Sequence, residues 1–249
     1  MSEGFLLLNI GNTHTGYVFA NADGELLMPM GEADTAQWMQ DLSLLPECAA
    51  DITVWVACVV PPARKLLAES GKYADLHFVD AAAGERVGLD FSGVDSSTLG
   101  ADRIANAVAM LDLNTAAACF DCGTAVTMEI IQRGGYFVGG AIAPGRKLMR
   151  RSLALGTAAL PDLPLNNSVP DTPGTSTMEA LALGIDGAAA AGMMRELIRV
   201  ARAAGAVRLL AAGGDAEFFC RRFSELENAG KLFTLRGIAF IGVKHRQKM

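Results

Sequence analysis

The chain has little from which to build a metal cage or a covalent framework. Its three histidines, His14, His77 and His245, are too dispersed for a metal triad. Its five cysteines, Cys48, Cys58, Cys119, Cys122 and Cys220, are odd in number and scattered, which argues against a disulfide scaffold. Cys119 and Cys122 do form a CxxC, but no second pair follows and the first sits inside an apolar run, so both read as core or strand residues. Basic residues form no stripe. The one cluster, Arg146-Lys147 with Arg150-Arg151, is short and the net charge is -6, so nucleic acid is not expected as a partner. No window is apolar over the roughly 18 residues that a membrane span needs, so no membrane partner is expected either. No charged segment precedes a long apolar stretch at the start of the chain. No secretory signal is read there, and the cytoplasm is the expected compartment.

What is present is core material. Hydrophobic residues make up 51% of 249 and charged residues 19%, which excludes global disorder and allows one large α/β domain or two modest ones. Phe5 to Ile10 is an apolar run that ends in Gly11-Asn12-Thr13, a strand entering a tight turn. Gly16 to Ala20 continues as a strand, Asp23-Gly24 marks a turn, and Glu25 to Met28 supplies a third strand. A helix is predicted from Thr35 to Leu42 with Asp34 as its cap, then a buried strand from Ile52 to Val60. Pro61-Pro62 suits a helix start, Leu76 to Val79 a strand, and Gly100 to Leu111 a helix.

The opening pattern then recurs. Ala116 to Asp121 is an apolar strand ending in Cys122-Gly123-Thr124, followed by strands Ala125 to Ile131 and Tyr136 to Ile142. Helices are predicted after Pro144-Gly145 to about Ala154, and over Thr177 to Ala204 with an interruption between Gly184 and Gly192. A strand from Val207 to Ala212, a helix from Ala216 to Phe223 and a last helix near Gly237 to His245 follow. The segment Ala158 to Ser176 has no periodicity and reads as a long loop, either a cover over a site or a mobile connection. A repeat of this size predicts an α/β protein of two related halves, 1–112 and 113–249, with mixed sheets flanked by helices and facing each other across a cleft.

Both repeated turns pair a polar residue at a strand end with a nearby glycine and then Asn or Thr. Such a turn points successive backbone N–H groups outward, and glycine lets phosphate oxygens approach without a Cβ in the way. The hydroxyls of Thr13 and Thr124 add side-chain donors, and a strand-end carboxylate can hold a cation. Gly213-Gly214-Asp215 suits backbone contact with a nucleoside or phosphate, or is simply a tight strand-to-helix turn. Asp102 sits in a helix first turn, where the dipole alone accounts for a carboxylate. The same place sets Asp102 and Arg103 side by side, a proton acceptor next to positive charge, which phosphoryl transfer requires. His14 lies beside the first turn. A hairpin-edge histidine is ordinarily solvated, and His14 is given no catalytic role. The 11 methionines read as core.

Gly11-Asn12-Thr13, Gly100-Ala101-Asp102-Arg103, Asp121-Cys122-Gly123-Thr124-Ala125 and Gly139 to Gly145 together resemble the type III pantothenate kinase family. Leu155 to Pro161 and Gly213 to Ala216 extend the match, in order, over nearly the whole chain. The resemblance implies an actin/hexokinase-like fold of two ribonuclease-H-like halves and phosphorylation of pantothenate by ATP, the first step toward coenzyme A. It implies Asp102 as proton acceptor, and Gly100, Ala101, Asp102, Arg103 and Thr177 as the pantothenate site. ATP with Mg2+ would be bound by Asn9, Ile10, Gly11, Asn12, Thr13, His14, Thr15, Gly16 and Thr124. Asp121 would bind a monovalent cation, K+ or NH4+, and the protein would be a homodimer with substrate sites near the subunit interface. The family's first loop begins with aspartate where this chain has Asn9, and Glu129 stands where an aspartate is common. The loss of charge at Asn9 motivates an alternative expectation, a catalytically weak or inactive homologue with a binding or regulatory role. A third reading is a kinase or phosphatase of the same fold acting on another hydroxyl compound, which the substrate-side residues make less fitting.

Overall fold

The computed structural model describes residues 4–165 and 168–248. It contains two five-stranded sheets. The first is built from β1 (Gly4–Ile10), β2 (His14–Asn21), β3 (Leu26–Asp34), β4 (Thr53–Cys58) and β5 (Asp75–Phe78), in the order β3-β2-β1-β4-β5. β1 runs antiparallel to β2 and parallel to β4. Its residues are apolar without alternation because both faces are covered, as a central strand with a parallel neighbour requires. Leu6, Leu8, Ile10, Val54 and Val56 pack with Trp38, Ala63 and Leu67 in one core. Each such leucine or valine contributes about 1.5–3 kcal/mol by leaving water.

The helices of this half are α1 (Thr35–Trp38), α2 (Pro61–Ser70), α3 (Ala81–Arg86) and α4 (Ala101–Leu111). Asp34 caps α1 as expected, its carboxylate accepting from the Gln37 N–H, but the helix stops at Trp38 and a separate 3-10 turn takes up Leu42–Leu44. Proline opens α2 and Gly71, at φ 65°, closes it.

The second sheet comprises β6 (Ala117–Cys122), β7 (Ala125–Ile131), β8 (Phe137–Pro144), β9 (Arg208–Ala212) and β10 (Glu227–Gly230), in the order β10-β9-β6-β7-β8. β9 is parallel to both β6 and β10. In each sheet the first strand of the half is central, the next two form a meander on one side, and the last two lie on the other. The repeated strand order confirms the duplication read from the two glycine turns. The remaining helices are α5 (Arg146–Gly156), α6 (Thr177–Ala182), α7 (Ala191–Ala203), α8 (Ala216–Cys220) and α9 (Phe233–Arg246). The interruption expected between Gly184 and Gly192 is a π-helical segment, Leu183–Ala190, that joins α6 to α7. The segment 158–176 has no regular structure where it is described; residues 166 and 167 lie outside the described residues.

By contacts the chain divides into two compact units. One comprises residues up to Thr115, Ile131–Gly139 and Lys231 onward; the other comprises Ala116–Ile130 and Gly140–Gly230. α9 therefore belongs with the first unit. There the Thr234 hydroxyl donates to the Asn106 side-chain oxygen of α4 at 2.8 Å, in a buried position, and the rings of His77 and His245 both contact Trp55 on β4.

Candidate active site

In the first unit, Asn9 is half-buried at the end of β1, opposite Gly16 on β2 and Ala57 on β4. The chain turns back at once, with the Gly11 N–H donating to the His14 carbonyl at 3.0 Å. Gly11, Thr13 and Gly16 are half-buried, Asn12 and His14 exposed, and Ile10 and Thr15 fully buried. Thr15 is an internal support. Its hydroxyl accepts from the Trp38 indole N–H at 2.7 Å and shares a hydrogen bond with the Thr35 hydroxyl at 3.0 Å. Thr35 in turn donates to the Gly11 carbonyl at 2.8 Å, and its backbone N–H donates to the Thr13 carbonyl at 3.0 Å. The turn is thus tied from beneath through its carbonyls.

The start of α4 is brought to the same edge of the sheet. The Val59 N–H, just past β4, donates to the Ile10 carbonyl at 3.1 Å. A Cβ placed on Gly100 would sit 3.5 Å from Val59 Cγ1 and only 2.7 Å from Asp102 Oδ1. Gly100 is therefore what lets the Asp102 carboxylate fold back over the helix start. There Oδ1 accepts from the Arg103 backbone N–H at 2.7 Å. Burial raises the pKa of Asp102 above the usual aspartate range, against the lowering by the Arg103 N–H and charge. The two sequence segments 9–16 and 100–103 thus both adjoin Val59, at the carboxyl ends of parallel strands, the usual place for a ligand site in an α/β sheet.

In the second unit, the β6–β7 turn presents Gly123 and Thr124 to solvent with Asp121 half-buried behind them. Neighbouring segments lock it. The Gly145 N–H donates to the Thr124 carbonyl, and the Asp215 N–H to the Cys122 carbonyl, both at 3.0 Å. Gly145 is required by this packing, since a Cβ there would lie 2.2 Å from the Gly123 carbonyl oxygen. Gly213 is required twice over: its φ is 84°, and a Cβ would lie 2.5 Å from Asp121 Oδ1. Gly123 is different, because its nearest neighbour would be 3.7 Å away and its φ is ordinary. The fold itself would accept a side chain at Gly123, so the bare backbone there suits an incoming group such as phosphate.

Thr177 is exposed at the start of α6, on the rim of an apolar groove of about 580 Å³ between α5 and α6. Ser176 caps α6 by accepting from the Glu179 N–H. Cys119 and Cys122 are wholly buried, and burial pushes both thiols well above their usual range, which leaves them inert, in keeping with the sequence reading. Glu129 is also fully buried, in β7. Among the described residues there is no group of three or more His, Cys, Asp or Glu side chains that would hold a metal ion, and no helix is long and apolar enough to cross a membrane. Sequence reasoning missed a buried cluster in this unit, Arg146, Arg150, Asp186 and Asp215. Its only local signal is the pair of arginines four residues apart at the start of α5.

A sequence profile of the type III pantothenate kinase family matches residues 5–200. A type III pantothenate kinase of Halorhodospira halophila is 32% identical over 236 residues, covering 85% of this chain and 87% of that protein. One of Desulfatibacillum aliphaticivorans is 32% identical over 190 residues, covering 75% and 74%. Among solved structures, a Baf family protein of Campylobacter jejuni superposes with a TM-score of 0.65 at 22% identity, over 98% of this chain and all of that one. The activator of the 2-hydroxyisocaproyl-CoA dehydratase of Clostridium difficile, solved with bound ADPNP, gives 0.53 at 13% identity over 98% and 97%. At such identities these two likenesses concern the fold alone, which is that of the actin/hexokinase-like ATPases.

Proposed function

The chain belongs to the type III pantothenate kinase family, and from that premise we propose that it transfers the γ-phosphoryl group of ATP to the hydroxyl of pantothenate that becomes 4′-phosphopantothenate. The observation that carries the proposal is the placement of Asp102. A largely buried carboxylate of raised pKa stands at a helix start, beside a backbone turn whose carbonyls are already tied down. Such a group is a better proton acceptor than an exposed aspartate, and the glycine turn at the same sheet edge gives phosphate close access to the backbone. One Asp102 oxygen is held by the Arg103 N–H; the other takes the proton of the attacking hydroxyl, and Arg103 adds positive charge beside it. Gly100, Ala101 and Thr177 bind pantothenate.

The ATP phosphates are held by the turn after β1, from Asn9 to Gly16, and by Thr124, with Thr15 supporting that turn from inside. Mg2+ fits this arrangement as a companion of ATP, since it is ordinarily held by one or two protein oxygens together with phosphates and water. The side-chain oxygen of Asn9 is of the right hard type. When bound, the metal neutralises charge on the β- and γ-phosphates. Asp121 is assigned the monovalent cation, K+ or NH4+. We assign the boundary between the two ribonuclease-H-like halves to residues 112 and 113, between α4 and β6. Leu153 lines the groove at Thr177, and Leu148, Leu155 and Met178 also expose apolar surface on α5 and α6. We assign that face to a homodimer contact, and the enzyme to the cytoplasm.

A coupled assay tests the function. ADP is expected only when pantothenate and ATP are both present with Mg2+, and at a higher rate with K+ or NH4+ than with Na+. No pantothenate-dependent ADP at saturating ATP would count against the proposal.

A further inference from the structure

The second unit carries a buried ionic network that the transfer chemistry leaves unassigned. Arg146, the first residue of α5, donates through Nε to Asp186 Oδ1 at 2.9 Å and through Nη1 to Asp215 Oδ1 at 3.1 Å. Arg150, one turn later, donates through Nη2 to Asp186 Oδ2 and through Nη1 to the Pro164 carbonyl. The Arg146 and Asp186 side chains are fully buried and that of Arg150 almost so, whereas Asp215 keeps 19% of its side chain exposed. The Arg146 guanidinium also lies 3.5 Å from the centre of the Phe218 ring.

Stability is a poor account of such a network. Removing each ion from water costs several kcal/mol, and well-packed apolar side chains in its place are often as stable. What the guanidinium groups provide instead is fixed direction, because each planar fork bonds two different partners at a set angle. Here the directions lead to two places. Through Asp215 the network reaches the Gly213–Asp215 turn, which is hydrogen-bonded to Cys122 and packed on Asp121. Through Pro164 it reaches the stretch that follows α5. Asp186 lies in the π-helical segment directly after α6 and offers one oxygen to each arginine.

We propose that Arg146 and Arg150, clamped on the two oxygens of Asp186, are positioning residues for the two substrates. Arg146 fixes the Gly213–Asp215 turn against the β6–β7 turn for ATP, and Arg150 fixes Asp186, and with it α6 that begins at Thr177, for pantothenate. The inference rests on the kinase reading above and adds a division of labour within it.

The test is steady-state kinetics on Arg146→Lys, Arg150→Lys and the triple variant Arg146→Met/Arg150→Met/Asp186→Leu. Lysine keeps the charge but loses the two-pronged geometry. Arg146→Lys is expected to raise KM for ATP by about tenfold with KM for pantothenate little changed, and Arg150→Lys to do the reverse. The triple variant removes the fully buried charges and leaves only the partly exposed Asp215 without its arginine, so it is expected to melt cooperatively near the wild-type Tm while both KM values rise. A folded triple variant with both KM values unchanged would overturn the proposal. If the triple variant does not fold, the single variants decide: equal shifts of both KM values in each, or loss of kcat alone, would overturn it as well. Failure of the kinase reading is distinguishable, because wild-type protein would then show no pantothenate-dependent ADP. In that case calorimetric ATP affinity would still report whether Arg146 positions the nucleotide turn.

Discussion

Asp102→Asn is expected to lower kcat by about a hundredfold to ten-thousandfold while ATP binds as tightly as before. Asparagine fills the same space under the cap and still accepts from the Arg103 N–H, but it has no basic oxygen to take a proton. Because Asp102 stands at the start of α4 and not in a phosphate-holding turn, the loss belongs to turnover and not to nucleotide affinity. The wild-type rate carries a matching signature. Burial raises the Asp102 pKa, so the acid limb of the kcat profile is expected above the range of an exposed aspartate and to vanish in the asparagine variant.

Stability should move the other way. A carboxylate whose folded pKa is raised binds its proton more tightly in the folded chain. Stability therefore falls as pH rises from the unfolded to the folded pKa, and stays lower above both. Asp102→Asn removes that deficit, so its Tm at pH 7 is expected at or above the wild type. Equal loss of turnover and ATP affinity would remove the role as base.

Asn9→Asp is expected to raise activity. The position is half-buried at the carboxyl end of β1, where the stretch assigned to phosphate begins. A carboxylate there would hold the magnesium–ATP complex, through water or directly, with a charge that the amide lacks. A charge-assisted hydrogen bond is worth about 1.5–3 kcal/mol, or roughly tenfold to a hundredfold in rate or affinity. The expected result is a lower Mg2+ concentration for half-maximal rate, by about tenfold or more. An unchanged Mg2+ dependence would mean that the metal is not held from this position.

The duplication was legible because it rests on local signals: an apolar strand, a glycine turn, a polar strand end, twice. The strand order repeated in both sheets follows from that pattern. β10 was not legible, since Glu-Asn-Ala-Gly is short, polar and held as a strand only by β9 beside it. α3 is likewise a six-residue helix whose signal is little more than the Asp80 cap. The α1 helix ended early because Trp38 turns inward to donate to Thr15, a partner 23 residues away. That same contact takes Thr15 out of solvent, although its neighbours in the loop read identically in sequence. The ionic network was the least visible part. Asp186 lies in an alanine-rich helical stretch where a lone carboxylate reads as a solvated face, and its partner Arg146 is 40 residues away. Residues 9–16 and 100–103 could be named one segment at a time; their placement at one sheet edge, both beside Val59, depends on β4 lying beside β1.

The most direct test is a crystal structure with pantothenate, Mg2+ and a non-hydrolysable ATP analogue. The hydroxyl to be phosphorylated should lie about 2.6–3.2 Å from the Asp102 carboxylate, and phosphate oxygens should meet the backbone N–H groups between Asn9 and Gly16. A pantothenate hydroxyl bound away from Asp102, or a nucleotide whose phosphates avoid that turn, would contradict the account.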